Sequence, residues 1–586
     1  MLVQLVQAFL VVVGTFLAYF VFHALRILYS NLTSPLRRIL NGPPIANYLL
    51  GNFKEVEDDL GLIAEWERVY GKTFILHDLL CITELSTSDL KALNHIMASP
   101  TIYSRRQSFV DVSRRLFGHS ILSTILDEHK RHVSSDLRFS KPERLSYALY
   151  NSDEFSRTLP SEPLKSNYSA KSSSKRPSRR LRETWMSDIK KQQNTGASGT
   201  IEVFDGLRKM TLNVIGQAGF AYDFDALNPH GKSSELNDAF AELMHSPNAK
   251  FNVGAWLLQS MVPILRLLPL PGGSAISAAR GRMEDIGRRI VEQSKTVLAR
   301  QDSDKVQTGM ARGPRDLLSL LLKANMSPDL PENQKLSEDE VLGQILAFFF
   351  AGHETTRFVA VPFYAALADI CRDSAATAWA MHALSLYPSV QQTLREELLS
   401  VGTDNPTMDE LNALPYLEKV LREVMRRHSP AVFMDRVALV DDVLPLAKPI
   451  VGRDGKEYHS LPIRKGQVIR LPIVEVNVSE DVWGPDALEF RPDRWDNIPA
   501  TASSVPGVWA NQFTFLAGPH HCIGFRFALA ELKAILFTLL RAFEITPALP
   551  KERMGSIRSG QIQEPSVVGA KDGAGYPLVL TPLRSV

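Results

Sequence analysis

The stretch Phe515-Leu516-Ala517-Gly518-Pro519-His520-His521-Cys522-Ile523-Gly524 sets a cysteine close to two glycines, directly ahead of apolar residues at helical spacing. That spacing predicts a helix over 525–543, carrying Glu531 and Lys533, with Cys522 at its N-terminus. Backbone N–H groups at such a terminus favour an anionic sulfur. Gly518 and Gly524 are expected to supply open backbone conformations and room for a large flat ligand lying against the loop. A lone cysteine before a helix often serves only as a small buried hydrophobe, so distant segments must decide its meaning.

With 586 residues and 45% apolar content the chain can bury one large core or two ordinary ones. A net charge of +2 argues against nucleic acid as a main partner. Three cysteines (Cys81, Cys371 and Cys522) make no disulfide framework and fit a reducing compartment.

The run Leu5 to Leu25 has no formal charge over 21 residues, enough to cross a bilayer core. Arg26, Arg37 and Arg38 follow it and no Lys or Arg precedes it. The expectation is a single-pass anchor over 1–25 with a lumenal N-terminus and the remainder cytosolic. A cleaved signal peptide is the rival, but the run is long for one and no clean cleavage segment follows. Asn41-Gly42-Pro43-Pro44 marks a basic, proline-containing hinge over 26–50. Residues 51–586 are then expected to form the main folded domain. Sequons at Asn31, Asn167, Asn325 and Asn477 would face the cytosol and stay unmodified.

From Leu60 to Pro430 the pattern is mostly helical, with helices expected over 204–220, 275–300, 337–354 and 416–427. Strands are expected around the Asp454-Gly455 turn and over 467–474. The fold class is mainly α with small β-sheets. Two segments disturb it. Residues 133–180 are rich in Ser, Lys and Arg, a composition that predicts disorder. Residues 357–373 divide an apolar helix ending in Ala351-Gly352-His353-Glu354-Thr355-Thr356 from Ser374-Ala375-Ala376-Thr377. Both read as insertions, either translated introns or genuine surface additions that a fold tolerates cheaply.

The order Phe-x-x-Gly-x-x-x-Cys-x-Gly, followed by Ala528 and Glu531, resembles the heme-binding signature of the cytochrome P-450 family, and the chain is similar to its microsomal, fungal members. The resemblance extends to Ala351–Thr356, to Glu423-Val424-Met425-Arg426, and to Phe490-Arg491-Pro492-Asp493-Arg494-Trp495. It implies a cytochrome P-450 fold with heme b, its iron held by the Cys522 thiolate. Phe515, Gly518, Gly524, His520 and Arg436 would be further cofactor-binding residues. His520 stands where eukaryotic members usually have Arg, and Val133 stands where another propionate-binding Arg is expected. Glu354 and Thr355 would manage protons, and Phe350, Ala351, Phe433 and Met434 would line the substrate cavity. Glu423, Arg426 and Arg494 would form a structural triad.

The implied activity is insertion of one oxygen atom of O2 into a lipophilic substrate, such as a terpenoid, another secondary metabolite or an aromatic xenobiotic. Electrons would come from an NADPH-cytochrome reductase, with cytochrome b5 as a further donor, at the endoplasmic reticulum membrane and in contact with its lipid. Lys419, Arg422, Arg526 and Lys533 would furnish the reductase docking face. The alternatives are a heme-binding family member that is inactive or acts as an isomerase or dehydratase, and, remotely, a membrane-tethered scaffold or zinc protein using His520, His521 and Cys522. That last set lacks a fourth ligand at zinc spacing.

Overall fold

The structure is a computed structural model. It describes residues 2–137, 176–228, 273–308, 316–353 and 373–583, apart from 49, 60, 79–80, 197, 221, 223, 329 and 570–574, together with isolated residues between 229 and 272. The helices that frame the site are α1 (Leu2–Leu32), α2 (Pro35–Ile39), α3 (Leu62–Tyr70), α4 (Leu90–Ala98), α5 (Gln107–Phe117), α6 (Leu126–Leu137) and α7 (Pro177–Asn194). They continue with α8 (Val203–Phe220), α9 (Gly273–Thr308), α10 (Glu338–His353), α11 (Asp373–Leu386), α12 (Pro415–Arg427) and α13 (Phe525–Leu540). The expected helices over 204–220, 275–300, 337–354 and 416–427 are present as α8, α9, α10 and α12.

Each of these follows from local sequence. In α12 a proline occupies the first turn, where its missing N–H costs nothing, and Leu417, Val420, Leu421 and Val424 recur on one face with no exposure. Burying one such side chain stabilises by roughly 1.5–3 kcal/mol before chain entropy is subtracted. The main helical core gathers α8, α10, α11, α12 and α13, and both Phe515 and Cys522 belong to it.

A five-stranded sheet forms a second core. Its strands are β1 (Thr73–His77), β2 (Thr83–Thr87), β3 (Tyr103–Ser104), β5 (Phe433–Ala438) and β8 (Val468–Pro472), in the order β1-β2-β8-β5-β3. β2 and β8 are parallel and the other neighbours antiparallel. β1 and β2 are buried at every position and carry no clean polar alternation, so the helical reading from Leu60 onward misses them. The hairpin expected around Asp454-Gly455 joins β6 (Asp442–Val451) to β7 (Glu457–Ile463), with Gly455 at φ +76°. β4 (Thr200–Glu202), β12 (Pro577–Pro582) and β9 (Phe543–Pro547) make a three-stranded sheet, and β10 (Met554–Ser559) pairs with β11 (Ile562–Val567). Leu516 packs in the sheet core while its neighbour Phe515 packs in the helical one, so the cysteine loop lies along the seam.

Three expectations need correction. First, α1 does not stop at Leu25 but continues to Leu32. Among the described residues no helix is long and apolar enough to cross a membrane. Second, residues 31–44 are docked onto the domain rather than forming a loose hinge. Asn31 Oδ1 accepts from Thr83 N (2.9 Å), Thr33 O from Arg464 Nη1 (3.0 Å), and Asn41 O from Ile75 N (3.1 Å). Leu36 is fully buried, and a Cβ on Gly42 would lie 1.9 Å from Ile75 O. Third, the segment expected to be disordered over 133–180 is helical at both of its described ends. α6 runs through Leu137 and α7 begins at Pro177, with Leu181 and Trp185 in the core, while 138–175 lie outside the described residues. The amides of Asn31, Asn325 and Asn477 are engaged in internal hydrogen bonds, which opposes their glycosylation. Asn167 is outside the described residues.

Candidate active site

The cysteine loop is held by side chains on both sides. Asn477 is completely buried; its Oδ1 accepts from Phe513 N (2.7 Å) and its Nδ2 donates to Thr514 Oγ1 (2.7 Å). Thr514 Oγ1 donates to Met425 O (3.0 Å), and Gln512 Nε2 donates to Arg422 O (2.8 Å), which ties the loop to α12. Cys522 N donates to Phe515 O (2.9 Å) and the residue is 9% exposed. Its sulfur-bearing residue therefore stands in a fixed loop ahead of Phe525, the first residue of α13, as the sequence predicts.

The two glycines differ. Gly518 has φ +68°, and a Cβ there would sit 2.3 Å from Met97 O of α4, so only glycine fits. Gly524 has φ −88°, accessible to any residue. It serves as the N-cap of α13, and the special backbone expected of it is absent.

The triad assembles. Arg426 Nε and Nη2 donate to Glu423 Oε2 (3.0 Å) and Oε1 (2.8 Å), and Arg494 Nε donates to Oε1 (3.4 Å). Trp495 Nε1 and Arg491 N complete the carboxylate (3.1 and 2.9 Å). Glu423 and Arg426 have no exposure and Arg494 has 3%, so the charges rely on one another. Arg426 also donates to Asn477 O, Ala487 O and Glu489 O, which pins the segment leading to the cysteine loop. Asp486, not foreseen from sequence, accepts from Arg494 Nη1 (2.7 Å), and that guanidinium holds its carboxyl below the usual range.

Four basic side chains from four parts of the chain meet beside the loop: Arg105 after β3, His129 of α6, Arg436 of β5 and His520. His129 and His520 lie ring to ring at 4.2 Å, and His129 Nε2 is 3.3 Å from Pro519 O. A carbonyl only accepts, so Nε2 carries the proton. Arg105 Nη1 donates to Ile121 O (2.8 Å) and Arg436 Nη1 to Asp435 O (2.8 Å). Exposures are 6% for Arg105, 2% for His129 and Arg436, and 7% for His520. Burial pushes the His520 imidazole far below its usual pKa, and Arg105, His129, Arg436 and His521 push it further. Burial, then Arg105, lowers His129 to about 3. Nδ1 of His520 is buried without a hydrogen-bond partner. The buried guanidiniums of Arg105 and Arg436 suit this corner to an anion, and the carboxylates of heme b fit it. Arg105 escapes the sequence reading because only the fold brings it here, whereas His129 lies in the stretch 128–132 just ahead of the expected propionate-binding position at Val133.

α6 is itself fixed to α10. Arg131 and His132 both engage Glu340, and Gln344 bridges Ile121 N (3.2 Å) and His132 Nδ1. Glu128, His132 and Glu340 approach within 4.8 Å, a spacing compatible with a metal ion. Ile121 N–H requires an oxygen, so Gln344 must present its NH2 to His132 Nδ1, and His132 Nε2–H donates to Glu340. No lone pair remains on His132, and the cluster is a hydrogen-bonded clamp.

Phe350 of α10 is buried against Phe117 (4.7 Å). Ala351 lies in the last turn of the same helix, and its side chain is outside the described residues, as are Glu354 and Thr355 altogether. Strand alternation puts Met434 and Arg436 on one face of β5 and Phe433 and Asp435 on the other. Phe433 lies under the Arg470 guanidinium at 3.9 Å, while Met434 joins the sheet core. The two residues expected to line one cavity therefore face opposite ways.

The expected basic docking face is largely spent within the chain. Lys419 pairs with Asp496 (2.6 Å), Arg422 with Glu418 (3.0 Å), and Lys533, only 8% exposed, with Glu418 (2.8 Å). Arg526 lies over Phe525 (4.7 Å).

A mainly helical fold, a cysteine locked in a loop before a long helix, and an anion corner beside it together define a heme-thiolate protein. The cytochrome P450 family model matches residues 164–560. The chain is 38% identical over 572 residues to cytochrome P450 monooxygenase 128 of Postia placenta, covering 97% of this chain and 96% of that protein. It is 31% identical to cytochrome P450 monooxygenase claP of Ampulloclitocybe clavipes (94% of each) and 32% identical to a ganoderic acid synthetase of Ganoderma lucidum (59% of this chain, 62% of that one). The chain belongs to the cytochrome P450 family and is a heme-thiolate monooxygenase. Cys522 is the residue that would hold the heme iron, and the heme would supply the O2 activation and oxygen insertion. The protein's part is to hold the thiolate, fix the loop and receive the propionates.

Proposed function

We propose that this monooxygenase hydroxylates a lipophilic secondary metabolite of the terpenoid kind, drawing electrons from a membrane-bound NADPH-cytochrome reductase, with cytochrome b5 as a second donor. The observation that carries this reading is the fixed Cys522 loop, a thiolate ligand set beside the buried anion corner. Similarity to a ganoderic acid synthetase supports the substrate class. The uncharged run Leu5 to Leu25 supports an endoplasmic reticulum anchor with a lumenal N-terminus and a cytosolic catalytic domain over 51–586. Glu354 and Thr355 are proposed to deliver protons, and Phe350, Ala351 and Met434 to bound the substrate cavity.

The test is a screen of lipophilic compounds with membranes containing the full chain, a fungal reductase and NADPH. Hydroxylated product dependent on NADPH is expected. Heme incorporation without product from any terpenoid would favour the inactive or isomerase alternative. The insertions at about 133–180 and 357–373 are proposed to be translated introns or alternative exons. Transcript reads crossing both without a splice junction would refute that.

A further inference from the structure

The β6–β7 hairpin carries an exposed apolar face. Its inward residues Leu444, Leu446, Leu461 and Ile463 pack in the sheet core. On the outward side Val443 (60% exposed) pairs across with the exposed Pro462, and Ala447, Pro449 and Val451 (71% exposed) follow along β6. Single exposed apolar residues are ordinary, but a run of them rimmed by charge marks a surface that meets a partner. Here the rim is basic: Lys448, Arg453, Arg464 and Lys465 on the hairpin and its flanks, with Arg38 on α2, outnumber the exposed acids Asp441, Asp454 and Glu457. We propose that this face lies on the cytosolic leaflet of the bilayer, as a lipid contact separate from α1 that fixes the tilt of the catalytic domain. The proposal rests on the reading of Leu5 to Leu25 as a membrane anchor.

Two observations choose lipid over a second protein surface. The hairpin is a two-stranded sheet, so both strands are edges, but Pro445 and Pro449 on β6 and Pro462 on β7 remove ladder donors. That disfavours pairing with a strand of another chain, whereas a fluid apolar phase asks for no donors. The hairpin is also bolted to the exit of α1. Arg464 Nη1 donates to Thr33 O (3.0 Å), and Arg453 N and Nη1 donate to Ile39 O (2.8 Å) and Arg37 O (3.3 Å). The stretch of α1 from Leu25 to Leu32 rises only about 10 Å. A strand of ten residues is about 33 Å long, so a hairpin held this close to the anchor lies within reach of the headgroups. The basic rim then gains from the anionic cytosolic surface.

Full-length protein in phosphatidylcholine–phosphatidylserine vesicles, with and without brominated acyl chains, tests this. Val451→Trp adds an emission, read by difference over the seven native tryptophans, which brominated lipid should quench about twofold or more. Leu488→Trp, at an exposed site (57%) on the segment that bonds Arg427, should keep its added emission. Equal quenching at the two sites, or none at Val451→Trp in vesicle-bound protein, would overturn the proposal. Val443→Trp repeats the measurement on the same face if Val451→Trp does not fold. An unquenched Val451→Trp, together with a wild-type dimer that Val443→Asp abolishes, would assign the face to a second copy of the chain and overturn the lipid contact. Wild-type protein that does not float with the vesicles would overturn the anchor reading and the proposal together, whereas vesicle-bound protein with an unquenched Val451→Trp overturns the proposal alone.

Discussion

Two buried clusters of positive charge flank the cysteine loop and have opposite logic. Around Glu423, the guanidiniums of Arg426 and Arg494 meet a carboxylate inside the chain, with Asp486 as a second one. Around His520, two neutral imidazoles meet the buried guanidiniums of Arg105 and Arg436 with no carboxylate among the groups acting on His520. The first cluster is complete in the bare polypeptide and acts as framework. The second is complete only with an anion, and acts as a receptor. Burial alone does not separate them; the sign of the neighbours does.

The difference breaks most severely at Glu423. Replacing it by Ala strands two buried guanidiniums, and a loss of ~3–5 kcal/mol is expected, measured by denaturant unfolding of the heme-free protein. By contrast Arg436→Gln should leave heme-free stability nearly unchanged and weaken heme retention, since it belongs to the receptor. Equal destabilisation of the heme-free protein by both changes would erase the distinction.

Between the clusters, Gly518→Ala should cost about 1–3 kcal/mol and disturb the loop, because it forces φ +68° and a contact with Met97 O. Gly524→Ala should cost only a few tenths of a kcal/mol, given an N-cap glycine with ordinary φ. Unfolding midpoints of both variants check the pair. The smallest effect concerns pH. The folded pKa of Asp486 lies below its unfolded 3.8, so its contribution is present above that value and lost as pH falls through the folded one. Asp486→Asn should therefore flatten the acid limb of the stability–pH curve, and an unchanged limb would show that the framework does not depend on Asp486.

The framework was largely legible in sequence, and the receptor only in part. Glu423 and Arg426 are three apart on one helix, and the cysteine loop is contiguous, so each announces itself as a motif. Arg105 carries no local signal, since its meaning comes from a meeting of β3, α6, β5 and the loop. β1 and β2 were missed for a related reason, because strands buried on both faces show no alternation. A glycine in a motif suggests positive φ, but of the two loop glycines Gly518 has it and Gly524 does not. Phe433 was assigned with Met434 although adjacent strand residues must point apart.

The most direct measurement is the absorption spectrum of the reduced, carbon-monoxide-bound full-length protein beside that of Cys522→Ala. The wild type should show the thiolate-ligated form and the variant should lose it. A wild type without heme, or a thiolate-type spectrum that survives in Cys522→Ala, would contradict the assignment of Cys522 as the iron ligand.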